Sequence, residues 1–357
     1  MRTCSSLKPM TTLTTVTWYA NPSARTWSCP RPADASAFHA GLPGYAPTPL
    51  TELPALAAEL GAARVFVKDE STRLGLPAFK MLGASWGVHR ALRDETTLVA
   101  ATDGNHGRAV AVMARLRGLH ARIFVPDDVH PASIAAIRAE GADVVTVTGT
   151  YDAAVERAAA DAAAPGALLV QDTAWPGYED IPRRIVEGYG TLFTELDAQL
   201  AALGAEPAGL VAVPVGVGSL AQAAVEHYRS GPTAPSLLAV EPESAACALA
   251  SLTAGRRVAL APGRTIMHGL NCATLSTLAW PVLRAGLDAA VSVTDDATVR
   301  AARDLAALGV PAGPCGAASL AGVRAALTDE RRPALAPHPT VVLLSTESVE
   351  ANPSITA

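Results

Sequence analysis

Leu98-Val99-Ala100-Ala101-Thr102-Asp103-Gly104-Asn105-His106-Gly107 joins a strand to a helix through a glycine turn. Residues 98–101 read as a short strand, Gly104 and Gly107 allow a tight turn, and residues 106–116 carry a helical apolar pattern. Working outward, the same unit recurs. Residues 64–68, 122–126, 143–147 and 168–171 read as strands; 78–92, 131–140 and 151–163 read as helices. Pro131 suits a first helical turn and Gly141 a stop. Further strands follow at 210–214, 237–240, 290–293 and 340–345, again with helices between them. Such alternation predicts an α/β chain of mostly parallel sheets covered by helices. The first 50 or so residues, rich in Pro, Ser and Thr, read as an irregular arm.

Composition narrows the partners. With 357 residues, half of them hydrophobic, the chain has enough apolar material for more than one domain. Net charge is −5 and the basic residues are scattered, so no basic face for nucleic acid is expected. The longest uncharged run, 209–225, is interrupted by Pro214, Gly216 and Gly218 and reads as strand, turn and helix start rather than a membrane span. The opening residues have no continuous apolar stretch of a secretory signal, and five widely spaced cysteines without a CxxC pair read as thiols. A cytoplasmic location is the expectation.

Parallel α/β sheets bind ligands beyond the carboxyl ends of their strands, and four strand exits carry chemistry. After the first comes Leu74-Gly75-Leu76-Pro77-Ala78-Phe79-Lys80. Pro77 is placed to open a helix, and a lysine at a helix start has its ammonium form weakened by the macrodipole, which favours a nucleophilic amine. A solvated surface lysine is the plain alternative for Lys80 taken alone. The second exit is Thr102 to Gly107, where turn and helix amides suit a substrate carboxylate and Asn105 can bond a phenolic oxygen. Alone, it is also an ordinary capped turn. The third, Pro214-Val215-Gly216-Val217-Gly218-Ser219-Leu220, can cradle one phosphate through backbone amides, with the Ser219 hydroxyl added. It lacks the Lys-Ser/Thr of a nucleotide P-loop and the third glycine of a dinucleotide site. The fourth, Ser345-Thr346-Glu347, ends a strand with hydroxyls that can bond a pyridine nitrogen, although a strand-end Ser or Thr taken alone usually has only a structural role. Asp172 follows another strand and reads as a cap or as a holder of a substrate amino group. The histidines have no metal-ligand spacing.

Lysine, asparagine loop, glycine loop and hydroxyl strand, in that order, resemble the fold-type II pyridoxal-phosphate enzymes. The segments Pro43 to Leu50, Lys68-Asp69-Glu70-Ser71, Ala78-Phe79-Lys80, Thr102 to Arg108, Asp172-Thr173 and Thr265-Ile266-Met267 closely resemble diaminopropionate ammonia-lyase, from about residue 18 to about residue 350. Asp103 is the most specific match. The resemblance implies two open parallel-sheet α/β domains with pyridoxal 5'-phosphate in the cleft. Residues 1–83 and 190–357 would form the larger domain and 84–189 a smaller inserted one. It implies that Lys80 carries the cofactor as a Schiff base and takes the α-proton of an L-substrate, while Asp103 takes that of a D-substrate. Asp172 would bind substrate or manage protons at the leaving amine. Asn105 would bond the ring oxygen, Gly216, Val217, Gly218, Ser219 and Leu220 the phosphate, and Thr346, or else Ser345, the pyridine nitrogen. Thr102, Gly104 and His106 would frame the substrate. A homodimer acting on a small amino acid is expected, with 2,3-diaminopropionate giving pyruvate and ammonia.

Four departures from the family pattern stand out, one of them a short stretch between Leu92 and Leu98. Gly313-Pro314-Cys315-Gly316-Ala317 lacks the usual glutamate and serine, His268 replaces a small residue, and Ala273 replaces a glycine. They predict broader or shifted specificity. A β-eliminase or β-replacement enzyme for serine, threonine or another substituted alanine is the neighbouring alternative. A catalytically silent cofactor-binding protein is the alternative from another class.

Overall fold

The computed structural model describes residues 17–102, 104–335 and 339–352. Its strands are β1 (Trp18–Ala20), β2 (Leu50–Glu52), β3 (Arg64–Asp69), β4 (Thr97–Ala101), β5 (His120–Pro126), β6 (Asp143–Val147), β7 (Ala167–Leu169), β8 (Leu210–Pro214), β9 (Ser236–Pro242), β10 (Ala289–Val293) and β11 (Thr340–Ser345). They form a seven-stranded sheet in the order β1-β10-β9-β8-β11-β3-β2 and a four-stranded sheet in the order β6-β5-β4-β7. The smaller sheet is parallel throughout. In the larger one, β10, β9, β8, β11 and β3 run parallel, and the short β1 and β2 close its two edges antiparallel. The arm preceding residue 50 is thus less irregular than its composition predicts: residues 18–20 pair with β10 and Ser36–Ala40 is a short helix.

The central strands bury both faces, as parallel strands covered by helices must. Along β11, Val342 and Leu344 join one core while Val341 and Leu343 join the core on the opposite face. In β8, Val211 and Val213 alternate in the same way with Leu210 and Ala212. This period of two fixes the register, because a slip of one residue would exchange the faces. The first core continues through the Lys80–Ala91 and Asp180–Ala202 helices to Leu98, Ala100 and Ile123 of the four-stranded sheet. Those two helices meet almost backbone to backbone: a Cβ on Gly188 would lie 2.5 Å from the Leu82 carbonyl oxygen.

Two element ends differ from the local pattern, each for a tertiary reason. The helix expected from residue 78 starts at Lys80, so Pro77 does not open it. Ala78 instead pairs with Glu347, and the Pro77 carbonyl accepts the Ser348 amide at 2.9 Å. The strand expected at 168–171 ends at Leu169. The Gln171 side-chain oxygen accepts the Ala101 amide at 2.9 Å in place of a backbone carbonyl, which frees the chain to turn towards Asp172.

Glu241, near the end of β9, is fully buried, and its carboxyl accepts the Ala248 and Leu249 amides at 2.7 and 2.8 Å at the start of the Cys247–Ala254 helix. Burial pushes its pKa from 4.5 up to about 7, and the two amides reverse only part of that rise. The folded state therefore holds this proton more tightly than the unfolded chain. The resulting stability is full below pH 4.5 and is lost as the pH rises towards about 7. Glu241→Gln is expected to remove this slope, worth about 3 kcal/mol over the window. Urea unfolding at a series of pH values measures it, and parallel slopes for the two proteins would refute the assignment.

Candidate functional site

The carboxyl ends of both sheets face one cavity of about 670 Å³. From the four-stranded sheet, β4 delivers Thr102, Gly104, Asn105 and His106, and the chain beyond β7 delivers Asp172. From the seven-stranded sheet, β8 delivers Gly216 to Leu220 and β11 delivers Thr346 and Glu347. Lys80 completes the wall. The structure thus gathers the sequence candidates into one place, apart from Asp103, which lies outside the described residues.

Lys80 is the first residue of its helix, as its sequence position predicts, but its charge is the reverse of the expectation. Its Nζ lies 2.5 Å from Asp172 Oδ2. Burial works against the ammonium, and the Asp172 carboxylate more than offsets it, so the pKa rises above the ordinary lysine range. A full negative charge at contact outweighs the half-charge of a helix terminus. Asp172 responds in kind: burial alone would raise its carboxyl, yet Lys80 holds it at about 2. The pair exists as ammonium and carboxylate, a proton donor and an acceptor in direct contact.

His106 stands behind this pair. Its Nε2 lies 2.7 Å from the Val170 carbonyl, which can only accept, so the proton belongs on Nε2. Nδ1 is left 3.9 Å from Asp172 Oδ2. Burial lowers the His106 pKa despite the nearby carboxylate, keeping the ring neutral.

The glycine loop follows β8 and leads into the Ser219–Arg229 helix. Gly218 has φ of 96°, in the left-handed region that favours glycine. The Ser219 hydroxyl donates to the Asp172 carbonyl at 2.6 Å. It therefore ties the loop to the acid, and what the loop presents to a phosphate is its backbone amides. A Cβ on Gly216 would lie 2.8 Å from the Gly269 carbonyl oxygen and 3.1 Å from Cys272 Sγ. Gly216→Ala is expected to displace the loop and lower affinity for pyridoxal phosphate roughly tenfold, the scale of one overpacked methyl. Equilibrium dialysis against the cofactor would show it; unchanged affinity would mean that the loop does not hold the phosphate.

At the opposite wall, Asn105 Nδ2 donates to Glu347 Oε2 at 2.7 Å, and the Cys315 amide donates to Glu347 Oε1 at 3.3 Å. Burial raises the Glu347 pKa, and the Cys315 and Asn105 donors counter it. The candidate residues omitted Glu347, although it directly follows the hydroxyl pair at the end of β11. A carboxylate does face Cys315, but from β11 rather than from the segment where the family pattern has its glutamate. Thr346 lines the cavity. Ser345 is fully buried, and its hydroxyl has no hydrogen-bond partner among the described residues. The departures His268, Ala273 and Cys315 all line the cavity. Burial lowers the His268 pKa, which favours the neutral ring.

The residues fit the cofactor expected from sequence. They offer a primary amine, a glycine-rich cradle, a strand-end hydroxyl and an amide side chain around a single space. Among the described residues no cluster of three metal-ligating side chains forms, no disulfide forms, and no helix is long and apolar enough to cross a membrane.

Comparison with known proteins agrees. Residues 42–347 match the family model described as pyridoxal-phosphate dependent enzyme. Diaminopropionate ammonia-lyase of Salmonella typhimurium is 35% identical over 288 residues, which cover 72% of this chain and 71% of that protein. The crystal structure of Escherichia coli diaminopropionate ammonia lyase in complex with D-serine matches with a TM-score of 0.85 at 30% identity, covering 95% of both chains. The structure of that enzyme with an aminoacrylate-PLP azomethine reaction intermediate gives 0.82 at 32% identity, covering 90% of this chain and 89% of that one.

Proposed function

We propose that this chain, which belongs to the pyridoxal-phosphate-dependent enzymes and among them to the diaminopropionate ammonia-lyases, eliminates the β-amine of 2,3-diaminopropionate. With one water consumed, the products are pyruvate and two molecules of ammonia. The observation that carries this reading is the contact between Lys80 and Asp172 at the cavity shared by both sheets. When bound, pyridoxal phosphate supplies the electron sink for the charge left at the α-carbon.

The chain's own residues do the rest. Lys80 holds the cofactor and takes the α-proton of an L-substrate, and Asp103 takes that of a D-substrate from the opposite face. Asp172, kept ionised beside Lys80, receives a substrate ammonium and manages the proton at the leaving amine. Thr102, Gly104 and His106 frame the substrate. Asn105 bonds the ring oxygen, Gly216 to Leu220 hold the phosphate, and Thr346 meets the ring nitrogen without having to protonate it. The same reading makes the protein a cytoplasmic homodimer, with residues 84–189 as the smaller domain inserted between 1–83 and 190–357.

A screen of small L- and D-amino acids for release of ammonia and 2-oxo acid tests the proposal. Both enantiomers of 2,3-diaminopropionate are expected to react, and Asp103→Asn is expected to suppress the D-enantiomer selectively. Activity confined to serine, threonine or neutral β-substituted alanines would replace the substrate assignment, a reading favoured by His268 and Cys315 in the wall. Bound cofactor with no turnover of any amino acid would sink the enzymatic reading.

A further inference from the structure

We propose that Glu347 is a positioning residue that sets the orientation of the Asn105 amide at the cofactor site. This rests on the proposed function, in which Asn105 bonds the cofactor's ring oxygen. Asn105 opens the helix after β4, whereas Glu347 follows β11, so their contact joins the two sheets across the cavity.

An amide side chain can turn either its oxygen or its nitrogen towards a neighbour, and the neighbour decides which. Glu347 is 4% exposed, and its second oxygen already accepts the Cys315 amide at the start of the Pro314–Ala326 helix. Both Glu347 oxygens thus stand as acceptors of N–H donors, and an accepting oxygen selects the N–H side of a neighbouring amide. The Asn105 atom facing it is therefore Nδ2, at 2.7 Å. One N–H bond is thereby fixed on Glu347, and the other remains available as a donor. Without the carboxylate, nothing in this contact opposes the flipped amide.

The backbone of Glu347 is held independently of its side chain. Ala78 pairs with it in a β-bridge, and its carbonyl accepts the Gly313 amide at 2.9 Å. Replacing the side chain thus leaves the strand end anchored to the segment that carries Lys80. This makes a change in amide orientation separable from a change in fold.

The test is the visible absorbance of the protein loaded with pyridoxal phosphate, because a donor to the ring oxygen favours its deprotonated, longer-wavelength form. Glu347→Ala is expected to lower the ratio of long- to short-wavelength bands about fivefold, the scale of one net hydrogen bond. Asn105→Ala should produce the same shift, and the double variant should go no further, since the two residues act through one contact. Glu347→Gln, with one acceptor oxygen for two donors, should fall between wild type and Glu347→Ala; it also serves as the comparison should the alanine variant fail to fold. A wild-type spectrum in both Glu347 variants would overturn the proposal, as would full additivity with Asn105→Ala. Failure of the underlying reading looks different: the wild-type protein itself would develop no visible band with the cofactor.

Discussion

Lys80→Ala is expected to abolish covalent attachment of pyridoxal phosphate and to lower elimination activity by roughly 10⁴-fold or more, the combined effect of losing the nucleophilic amine and the α-proton base assigned to it. Among the described residues Lys80 is the one lysine at the cavity; Lys68 is fully buried in an ion network elsewhere in the fold. Asp172 is left with its carboxylate beside an alanine, so the variant loses substrate handling as well as attachment. Borohydride reduction of the loaded wild-type protein followed by peptide mapping should place the label on the peptide containing Lys80. Label on another lysine, or attachment that persists in the variant, would remove Lys80 from its assigned role. An added alkylamine is expected to restore part of the lost proton transfer without restoring attachment, which would separate the two functions assigned to the side chain.

Arg73→Ala carries the largest expected cost in stability. Arg73 is fully buried in the segment between β3 and Lys80 and makes a double contact with Glu70, through Nε at 2.8 Å and Nη2 at 2.7 Å. It also reaches Glu195 on the Asp180–Ala202 helix at 2.6 and 2.8 Å. Lys68 bonds the same Glu195 at 2.7 Å, and the Thr48 hydroxyl donates to Glu70 at 2.5 Å. Two cations and two carboxylates therefore balance inside the protein. Removing Arg73 leaves a buried excess negative charge, with an expected loss of about 3–5 kcal/mol. Arg73→Lys should recover little of it, because a single ammonium cannot reproduce the planar double contact. Urea unfolding monitored by circular dichroism measures the difference; a loss below about 1 kcal/mol would place this network with exposed ion pairs in its energetics.

The network has a functional side too. It locks the segment leading to Lys80 against the helix that packs on the lysine's own helix. A variant that stays folded is therefore expected to lose activity through misplacement of Lys80, since small errors in the position of a reacting group are costly.

The amino-acid sequence by itself determined the periodic elements and the order of the loops. The predicted spans at 143–147, 210–214 and 340–345 coincide with β6, β8 and β11. β-Branched and other apolar runs bounded by turn residues encode such strands locally. Lys80, the asparagine loop, the glycine loop and the hydroxyl pair were legible for the same reason: each lies at a strand exit or helix start that neighbouring residues define. The charge of Lys80 and the company of Asn105 were not legible, because their partners lie 92 and 242 residues away along the chain. The guanidinium of Arg73 meets Glu195 across 122 residues. Strand and helix periods depend on near neighbours, whereas the protonation state of a buried group depends on whichever charge the fold brings within contact. Only the tertiary structure decided that Lys80 faces a carboxylate strong enough to reverse the helix dipole, and that Glu347 supplies the acceptor at the far wall.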